Sequence, residues 1–332
     1  MKLAFFSTKP YEKHFFEKIN VKYNHQITFF DAHLNMETIS LVKGFQAVCV
    51  FVNDTLDEQI LEKMAENNVK LIVLRSAGFN NVDIKAAHKL GLSVVRVPAY
   101  SPYAVAEHSL ALIMTLNRKI HKAYNRIRDD NFSLDGLMGF DIHTKTVGIF
   151  GTGKIGQTFA KIMSGFGCRL IAFDLFEDKE CLDLGVEYVS CNELFATSDI
   201  ISLHCPLNHE THHLINKKTL SMMKKGVMLI NTSRGGLIDT PEIINSLKDG
   251  KIGYLGLDVY EEEADIFFED LSGKVLQDDV LARLLTFQNV IVTSHQAFFT
   301  DNAMNKIAET SLDNISKFEQ NIPVNLVLPE KD

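Results

Sequence analysis

Three residues that follow short apolar segments have side chains suited to acid–base chemistry on an anion. Arg234 lies in NTSRGGLID, Glu263 in GLDVYEEE and His295 in VTSHQAFFT. Histidine exchanges protons near neutral pH, and a neighbouring carboxylate favours its imidazolium form and orients its ring. The planar fork of arginine binds a carboxylate through two hydrogen bonds. The residue types therefore predict a histidine–glutamate pair that exchanges a proton with a substrate anchored by arginine.

A glycine-rich loop, GTGKIG at residues 151–156, has the sequence context of a dinucleotide site. The apolar segment TVGIF precedes it and the helical pattern KIGQTFAKIM follows it. Gly151 permits the tight turn, Gly153 lets the backbone approach a pyrophosphate, and Gly156 lets the helix pack close to the strand. The free amide groups at the start of the helix then hold the phosphates.

The residue that ends the next apolar segment distinguishes the two nicotinamide coenzymes. Asp174 closes CRLIAFD, and the following residues, LFED, contain no arginine. A carboxylate at this position accepts hydrogen bonds from the ribose hydroxyls and repels a 2′-phosphate. The sequence therefore predicts NAD rather than NADP. The alternative is a structural glycine turn followed by an ordinary surface aspartate.

The coenzyme site, the proton-exchanging histidine and the anion-binding arginine together predict hydride transfer to or from a small 2-oxo or 2-hydroxy acid. Each residue also has a structural interpretation: Arg234 as a surface ion pair, His295 as a packed histidine, and the acidic run Glu261–Asp265 as largely solvated. Their position favours the functional interpretation, because each follows a strand of the sheet predicted to carry GTGKIG. In such sheets ligands bind beyond the carboxyl ends of the strands.

A second candidate anion site lies near the start of the chain, in RSAGFNNVD at residues 75–83. Gly78 follows the apolar run LIVLR, and a helix is predicted to start near Val82. The backbone amides of Ala77 and Gly78 would then face a substrate carboxylate. A turn of this type also occurs as ordinary structure in parallel sheets, so it supports the prediction only together with the other motifs.

The composition is that of a soluble globular enzyme without a nucleic-acid surface. The chain has 332 residues, 46% of them hydrophobic and 23% charged, which suffices for two α/β domains. The net charge of -8 and the scattered basic residues argue against nucleic acid as a partner. The start MKLAFFSTKP lacks the apolar core of a signal peptide, and all apolar runs are of strand length. We therefore expect no membrane association.

The cysteines and histidines predict reduced thiols and no metal. The five cysteines form no CxxC pair, which indicates free thiols and a cytoplasmic protein. The segment HETHH contains His209, His212 and His213 at a spacing compatible with zinc. No cysteine or carboxylate cluster nearby in sequence completes a tetrahedral site. We interpret the segment as a loop that leads into a helix.

Short apolar runs alternate with helical patterns along the chain, which predicts βαβ units with parallel strands. The first series of strands is predicted at Lys2–Phe6, Ile27–Phe30, Ala47–Phe51, Leu71–Leu74 and Leu92–Val97. The second series is predicted at Thr146–Phe150, Arg169–Phe173, Ile200–His204, Val227–Asn231, Tyr254–Val259 and Val290–Thr293. One long helix is predicted over about residues 103–127 as a bridge between domains, a subunit contact or a core helix. A last helix is predicted over about residues 301–318.

This order of elements predicts an α/β protein with two doubly wound parallel-sheet domains. The last helix is expected to return to the first domain, so that the chain crosses between the domains twice. We assign residues 1–101 and 297–332 to a substrate domain and residues 102–296 to an inserted NAD-binding domain. The active site is expected in the cleft between them.

Motifs throughout the chain resemble the D-isomer-specific 2-hydroxyacid dehydrogenases. In order, they are RSAGFNNVD, VPAYSPYAVAEH, GTGKIG with Asp174, SLHCPL, NTSRGGLID, GLDVYEEE and HQAFFT. The resemblance implies a flavodoxin-like substrate domain with a Rossmann NAD domain inserted into it. It also implies a homodimer, or a higher homo-oligomer, formed through the NAD domain.

The resemblance also implies roles for individual residues. His295 is expected to be the acid–base, Glu263 its partner, and Arg234 the substrate anchor and carbonyl polariser. Ala77 and Gly78 match the carboxylate-binding turn of the family, and Tyr100 and Phe298 match positions that line its substrate pocket. Asp258 is expected near the nicotinamide amide. The positions expected to bind NAD are Gly151, Gly153, Lys154, Ile155, Gly156, Asp174, Cys205, Pro206, Thr232, Ser233 and Asp258.

The aromatic residues of HQAFFT resemble the branch of the family that acts on lactate, which implies pyruvate and NADH as substrates for reduction. Two alternatives remain open from the sequence. One is a dehydrogenase for a bulkier 2-oxo acid, such as phenylpyruvate or 2-oxoisocaproate. The other is an NAD-sensing binding protein like the corepressors that use the same fold, although the chain has no evident disordered extension for partner binding.

Overall fold

A computed structural model describes residues 1–263 and 266–329. The chain divides into two compact units. The first comprises Met1–Ser101 together with the segment from Phe299 onward, and the second comprises Pro102–Phe298. Each unit is built around its own parallel sheet. The predicted fold class of two parallel α/β sheets is confirmed.

The first unit has a five-stranded sheet in the order β2-β1-β3-β4-β5, which is the flavodoxin-like order. Its inner strands read as unbroken apolar runs, such as AVCV and LIVL, because both of their faces are buried. The elements before residue 101 are β1 (Lys2–Phe5), α1 (Pro10–Asn20), β2 (Gln26–Phe29), β3 (Ala47–Val50), α2 (Glu58–Glu66), β4 (Leu71–Leu74), α3 (Ile84–Lys89) and β5 (Ser93–Val95).

The second unit has a seven-stranded parallel sheet in the order β12-β11-β10-β9-β6-β7-β8. The order reverses between β6 and β9, and ligands bind beyond the carboxyl ends of the strands at such a switch point. Its elements are α4 (Pro102–Arg118), α5 (Ile120–Arg128), β6 (Thr146–Phe150), α6 (Lys154–Ser164), β7 (Arg169–Phe173), α7 (Lys179–Asp183), β8 (Glu187–Tyr188), α8 (Cys191–Thr197), β9 (Ile200–Leu203), α9 (Lys217–Met222), β10 (Val227–Asn231), α10 (Thr240–Lys248), β11 (Ile252–Leu257), α11 (Asp279–Leu285) and β12 (Val290–Val292).

The chain then returns to the first unit in α12 (Asp301–Glu319), which packs on α1 and β4. Thr300 caps this helix by accepting a hydrogen bond from the Ala303 amide at its side-chain oxygen. None of the helices in the described part of the chain has the length and apolar composition needed to cross a membrane.

The predicted long helix over residues 103–127 is wrong as a single helix, because it is broken at Lys119. Lys119 adopts the left-handed conformation with φ +50°, which ends the hydrogen-bond ladder of α4 and starts α5 in a new direction. The Asn117 side chain stabilises the break by binding both the amide and the carbonyl of Phe140 at 2.8 Å. Helical periodicity continues across the break in the sequence, and therefore could not reveal it.

The two helices have different environments. α4 is a core helix, and Leu112 and Leu116 approach β11 closely at Gly256, where an added Cβ would lie 3.2–3.3 Å from them. α5 has no buried residue. The interpretation as core therefore holds for α4 and fails for α5. The short strand β8 was missed by the sequence analysis, because a two-residue edge strand has too little pattern.

A buried ion pair joins the loop after β4 to helix α1 in the first unit. Arg75 and Glu12 are each 2% exposed, and the Arg75 Nε donates to Glu12 Oε1 at 2.7 Å. Burial alone would lower the pKa of Arg75, but the Glu12 carboxylate, with Cys49 and Asp54, more than offsets this, so its pKa is raised. The guanidinium also lies 4.3 Å from the Phe5 ring centroid and donates to the Ser7 carbonyl at 2.9 Å. This pair fixes the start of the RSAGFNNVD loop.

Replacing Glu12 by Gln should lower the free energy of unfolding of the first unit by about 3–5 kcal/mol, because a buried guanidinium loses its counter-charge. Urea unfolding followed by circular dichroism measures the change. The control is Glu17→Gln, since Glu17 and its partner Lys13, 3.8 Å away, are both exposed. This control should cost less than about 1 kcal/mol. Equal effects of the two substitutions would contradict the role assigned to the buried pair.

Candidate active site

The three candidate acid–base and anchoring residues of the second unit follow three adjacent strands. Arg234 comes after β10, Glu263 after β11 and His295 after β12. Because these strands are parallel neighbours, their carboxyl ends lie side by side at one edge of the sheet. The glycine loop, after β6, and Asp174, after β7, lie at the same edge.

His295 and Glu263 form a hydrogen-bonded pair. The His295 Nδ1 lies 2.8 Å from Glu263 Oε1, and the other carboxylate oxygen accepts a hydrogen bond from the Tyr260 amide at 2.9 Å. Both side chains are partly buried, and the Phe268 ring lies 5.9 Å from the imidazole. Since Nδ1 is directed at the carboxylate, Nε2 is the nitrogen left to exchange a proton with a ligand.

The backbone at His295 is held in a conformation that is unusual for a residue with a side chain. Its φ is +47°, in the left-handed region. Asp258 stabilises this turn: its carbonyl accepts the His295 amide at 2.8 Å, and its carboxylate accepts the amides of Gln296 and Ala297, each at 2.9 Å. Asp258 is fully buried. The predicted contact of Asp258 with the nicotinamide amide stays a prediction.

The sequence analysis missed two further residues at this turn: Thr293, which precedes His295, and His108, which reaches it from α4. The Thr293 hydroxyl donates to Asp258 Oδ1 at 2.5 Å, and the His108 Nε2 lies 3.1 Å from the Thr293 hydroxyl. Thr293 could have been identified from the sequence, because it is a polar residue between an apolar strand and His295. For His108, only the tertiary packing of α4 against β12 reveals the contact.

Arg234 is held by the loop after β10 and keeps donors available. Its carbonyl accepts the side-chain amide of the buried Asn231 at 2.8 Å, and its Nη1 donates to the Ser233 carbonyl at 2.7 Å. That is the only hydrogen bond of its guanidinium to residues within 1–263 and 266–329. Asn231 was also missed, although an asparagine that ends a buried strand just before an arginine is a readable signal.

The glycine loop has the geometry of a phosphate cradle. Gly151 has φ +95°, and an added Cβ there would lie 2.7 Å from the Cys205 amide nitrogen. A Cβ on Gly156 would lie 2.0 Å from the Gly151 carbonyl oxygen, whereas one on Gly153 would meet nothing within 4 Å. Gly151 and Gly156 are therefore required by packing, and Gly153 borders open space.

The start of α6 leaves amide donors for a ligand. Most neighbouring helices are capped by a side chain, as α7 is by Asp178, but α6 begins at Gly153 without one. Within the described part of the chain, the amides of Gly153, Lys154 and Ile155 donate to no other group. These residues thus fit the phosphates of a dinucleotide.

Asp174 already organises the glycine loop. Its Oδ2 accepts the Thr152 amide at 2.6 Å and the Thr152 hydroxyl at 3.2 Å, and its Oδ1 accepts the Phe176 amide at 3.3 Å. The side chain is only partly buried. A carboxylate in this position is well placed beside the loop to meet ribose hydroxyls.

The remaining predicted coenzyme contacts lie on the loops after β9 and β10. Cys205 and Thr232 are buried, whereas Pro206 is exposed. The Ser233 hydroxyl joins the two loops by donating to the Cys205 carbonyl at 2.7 Å, and the Thr232 hydroxyl lies 2.8 Å from that of Ser109.

Two titratable side chains beneath the glycine loop are neutral. Burial lowers the pKa of His204 to about 3 and raises the pKa of the Cys205 thiol to about 12. The His204 ring packs 4.9 Å from that of Phe159 in α6. Neither group therefore adds a charge next to bound phosphates.

The predicted substrate-carboxylate turn lies in the first unit, after β4. The Arg96 Nη1 donates to the Ala77 carbonyl at 2.7 Å, and the Ser76 hydroxyl donates to the Gly78 carbonyl at 2.8 Å. Both bonds use carbonyls, and the amides of Ala77 and Gly78 have no acceptor among the residues that the structure describes. Tyr100 and Phe298 are partly buried near the two points where the chain passes between the units.

The HETHH segment, considered above as a zinc site, contacts a glutamate of the acidic run. His213 Nε2 binds Glu261 Oε1 at 2.7 Å, and the His212 ring stacks on His213 at 4.0 Å. Across residues 1–263 and 266–329, no group of His, Cys, Asp or Glu side chains has the arrangement of a metal site.

In the acidic run, Glu262 is exposed, whereas Glu261 and Glu263 accept hydrogen bonds, and Asp265 lies outside the described residues. All five cysteines are free thiols, as predicted.

Comparisons with known proteins place this geometry in a family. Residues 110–297 match the model of the D-isomer specific 2-hydroxyacid dehydrogenase, NAD binding domain. A D-lactate dehydrogenase of Escherichia coli (strain K12) is 53% identical over 320 residues, which cover 96% of this chain and 97% of that protein.

Solved structures agree with these matches. The apo-structure of D-lactate dehydrogenase from Escherichia coli has a TM-score of 0.91 at 49% identity, covering 99% of this chain and 100% of the other. A D-lactate dehydrogenase from Aquifex aeolicus, complexed with NAD and lactic acid, has a TM-score of 0.88 at 32% identity, with 99% and 100% coverage.

The matched residues include the glycine loop, Asp174, Arg234, Glu263 and His295 of the second unit. NAD is therefore the coenzyme, and the protein is an oxidoreductase. The chain belongs to the family of D-isomer-specific 2-hydroxyacid dehydrogenases.

Proposed function

We propose that this protein is an NAD-dependent D-lactate dehydrogenase, which interconverts pyruvate and D-lactate. The observation that carries the proposal is the His295–Glu263 pair, 2.8 Å apart, at the same sheet edge as the glycine loop and Asp174. The names of the Escherichia coli and Aquifex aeolicus relatives support lactate as the hydroxy acid.

His295 is the proposed proton donor for reduction. When bound, the reduced coenzyme supplies a hydride to the carbonyl carbon. The His295 Nε2 gives its proton to the carbonyl oxygen, and Glu263 stabilises the imidazolium before transfer and fixes the ring through Nδ1. In the direction of lactate oxidation, the neutral imidazole takes up the hydroxyl proton.

Arg234 is the proposed anchor of the substrate. Its guanidinium donors bind the carboxylate and polarise the adjacent carbonyl. The amides of Ala77 and Gly78 are proposed as further carboxylate donors, and Tyr100 and Phe298 as pocket residues. For NAD, the amides of Gly153, Lys154 and Ile155 are proposed to hold the phosphates and Asp174 the ribose hydroxyls.

Initial rates of NADH oxidation with pyruvate, phenylpyruvate, 2-oxoisocaproate, hydroxypyruvate and oxaloacetate test the proposal, with NADPH run in parallel. We expect the highest kcat/KM with pyruvate and NADH, and a D-configured product. In His295→Gln, turnover should fall by about 10²–10⁴. Preference for a bulkier acid would keep the mechanism and change the substrate. Absence of turnover with every acid would favour an NAD-sensing binding protein.

Replacing Glu263 by Gln should lower kcat/KM for pyruvate by about tenfold to a hundredfold. Glutamine keeps the shape of glutamate but can turn its NH2 group towards the His295 Nδ1, so the ring is no longer held by a carboxylate. The measurement is the initial rate of NADH oxidation at several pyruvate concentrations. Glu262→Gln is the control, because Glu262 is exposed and its substitution removes the same charge. Unchanged kcat/KM in Glu263→Gln would contradict the assigned role.

We also propose a homodimer formed through the second unit. In α5 the residues Ile120, Tyr124 and Ile127 recur at helical spacing and are 58%, 61% and 56% exposed. Phe132, in the segment after the helix, is 71% exposed. A continuous apolar face of this kind favours burial against a second copy of the chain.

Replacing Ile127 by Glu should convert the dimer to a monomer, because two charges would be buried in a self-complementary contact. Light scattering coupled to size-exclusion chromatography measures the mass. Val21→Glu is the control, since Val21 is 85% exposed but lies in the first unit. A wild-type protein with the mass of one chain at micromolar concentration would contradict the proposal.

A further inference from the structure

Glu261 connects the loops that leave three neighbouring strands of the second unit. Its Oε1 accepts a hydrogen bond from His213 Nε2 at 2.7 Å. Its Oε2 accepts the Thr240 amide at 3.1 Å and the Thr240 hydroxyl at 2.5 Å. His213 lies between β9 and α9, Thr240 starts α10 after β10, and Glu261 follows β11. One carboxylate therefore cross-links the segments that follow β9, β10 and β11.

The backbones of these loops are packed together next to Arg234. The His213 amide donates to the Gly236 carbonyl at 2.8 Å. An added Cβ on Gly235 would lie 2.1 Å from the carbonyl carbon of Tyr260. Because Gly235 lies directly on the peptide that joins Tyr260 to Glu261, a displacement of Glu261 must be transmitted to the segment that carries Arg234.

The same turn carries Glu263. The Tyr260 amide donates to Glu263 Oε2, while Glu263 Oε1 binds His295. The acidic segment thus contributes a glutamate to each of two histidine–glutamate pairs. His295–Glu263 lies at the proposed reaction site, and His213–Glu261 links the segments that follow β9 and β11. The exposed Glu262 lies between them.

We propose that Glu261 and His213 are positioning residues, which hold Arg234 and Glu263 in the geometry needed for reaction. Neither is proposed to touch substrate or coenzyme. The inference rests on the proposed function and deepens it, since it assigns the HETHH segment and the first glutamate of the acidic run to the same reaction. A displacement of about 1 Å in a reacting group costs on the order of a hundredfold in rate.

The chemistry of the Glu261 contacts makes Glu261→Gln an informative variant. Three donors converge on the two carboxylate oxygens. Glutamine has the same shape but one acceptor oxygen. If its NH2 group faces Thr240, it meets the Thr240 amide, which is also a donor. If it faces His213, the imidazole must carry its proton on Nδ1, and a charge-assisted bond becomes a weaker neutral one. The substitution therefore breaks or weakens one arm of the cross-link without opening a cavity. Glu262→Gln is the matched control, because it changes the adjacent residue and the same charge.

The first readout is the kinetics of pyruvate reduction. In Glu261→Gln we expect kcat/KM for pyruvate to fall by about tenfold to a hundredfold, with the KM for NADH changed by less than about twofold. The glycine loop and Asp174 follow β6 and β7 and are not bonded to Glu261, which is why the effects should separate. Glu262→Gln should retain wild-type kinetics. His213→Phe, which keeps the ring but removes the donor, should share the defect, and the double variant should lose no more than the worse of the two single variants.

The second readout does not depend on activity. In protein with 13C-labelled histidine, the imidazole resonance of His295, assigned with His295→Gln, should move in Glu261→Gln and stay in place in Glu262→Gln. If Glu261→Gln fails to fold, His213→Phe takes its place in both measurements. If the wild type reduces no 2-oxo acid, the proposed function fails and the resonance still decides the positioning role.

Two results would overturn the inference. One is a Glu261→Gln protein with the kinetics and the His295 resonance of Glu262→Gln. The other is a uniform loss, in which NADH binding and pyruvate turnover fall together while the His295 resonance is unchanged, because that pattern reports general destabilisation.

Discussion

The buried carboxylate of Asp258 fixes the turn that carries His295, the proposed acid–base residue. His295 lies on a turn with φ +47°, a conformation that residues with side chains adopt rarely. Asp258 compensates for this by accepting the amides of Gln296 and Ala297 and the hydroxyl of Thr293. With the ring thus placed, Glu263 binds Nδ1 and leaves Nε2 for proton exchange. The geometry of the site thus depends on an aspartate whose role is to accept hydrogen bonds from the turn.

Carboxylates that receive several donors recur at the carboxyl ends of the strands in both units. Asp54, fully buried in the first unit, accepts the Ser7 hydroxyl and the amides of Leu34 and Phe51. Burial alone would raise the pKa of Asp54, but these hydrogen bonds and His33 lower it overall. Asp174 and Glu261 bind backbone amides in the same manner in the second unit. Loops that must hold ligands lack a regular hydrogen-bond ladder, and these carboxylates replace it.

Much of the architecture could be predicted from the sequence, because strands and helices in an α/β protein leave periodic patterns. The eleven predicted strands correspond to the observed ones to within a few residues at their ends, and the fold class is confirmed. The two failures have different reasons: the break at Lys119 is stabilised by Asn117 binding Phe140, which is 23 residues away in the chain, and β8 is too short to leave a pattern.

The residue types at the strand ends and the glycine loop with its acidic partner can be read from the chain alone, and with them the class of chemistry. These are local features, since a motif on one strand and turn is contiguous in the chain. That the predicted pair of His295 and Glu263 forms, and that His213 pairs with Glu261, follows only from the three-dimensional arrangement of the strands. His213 and Glu261 are 48 residues apart and His295 and Glu263 are 32 apart, yet each pair is in hydrogen-bond contact. Such pairing is set by strand order in the sheet, and spacing along the chain does not encode it.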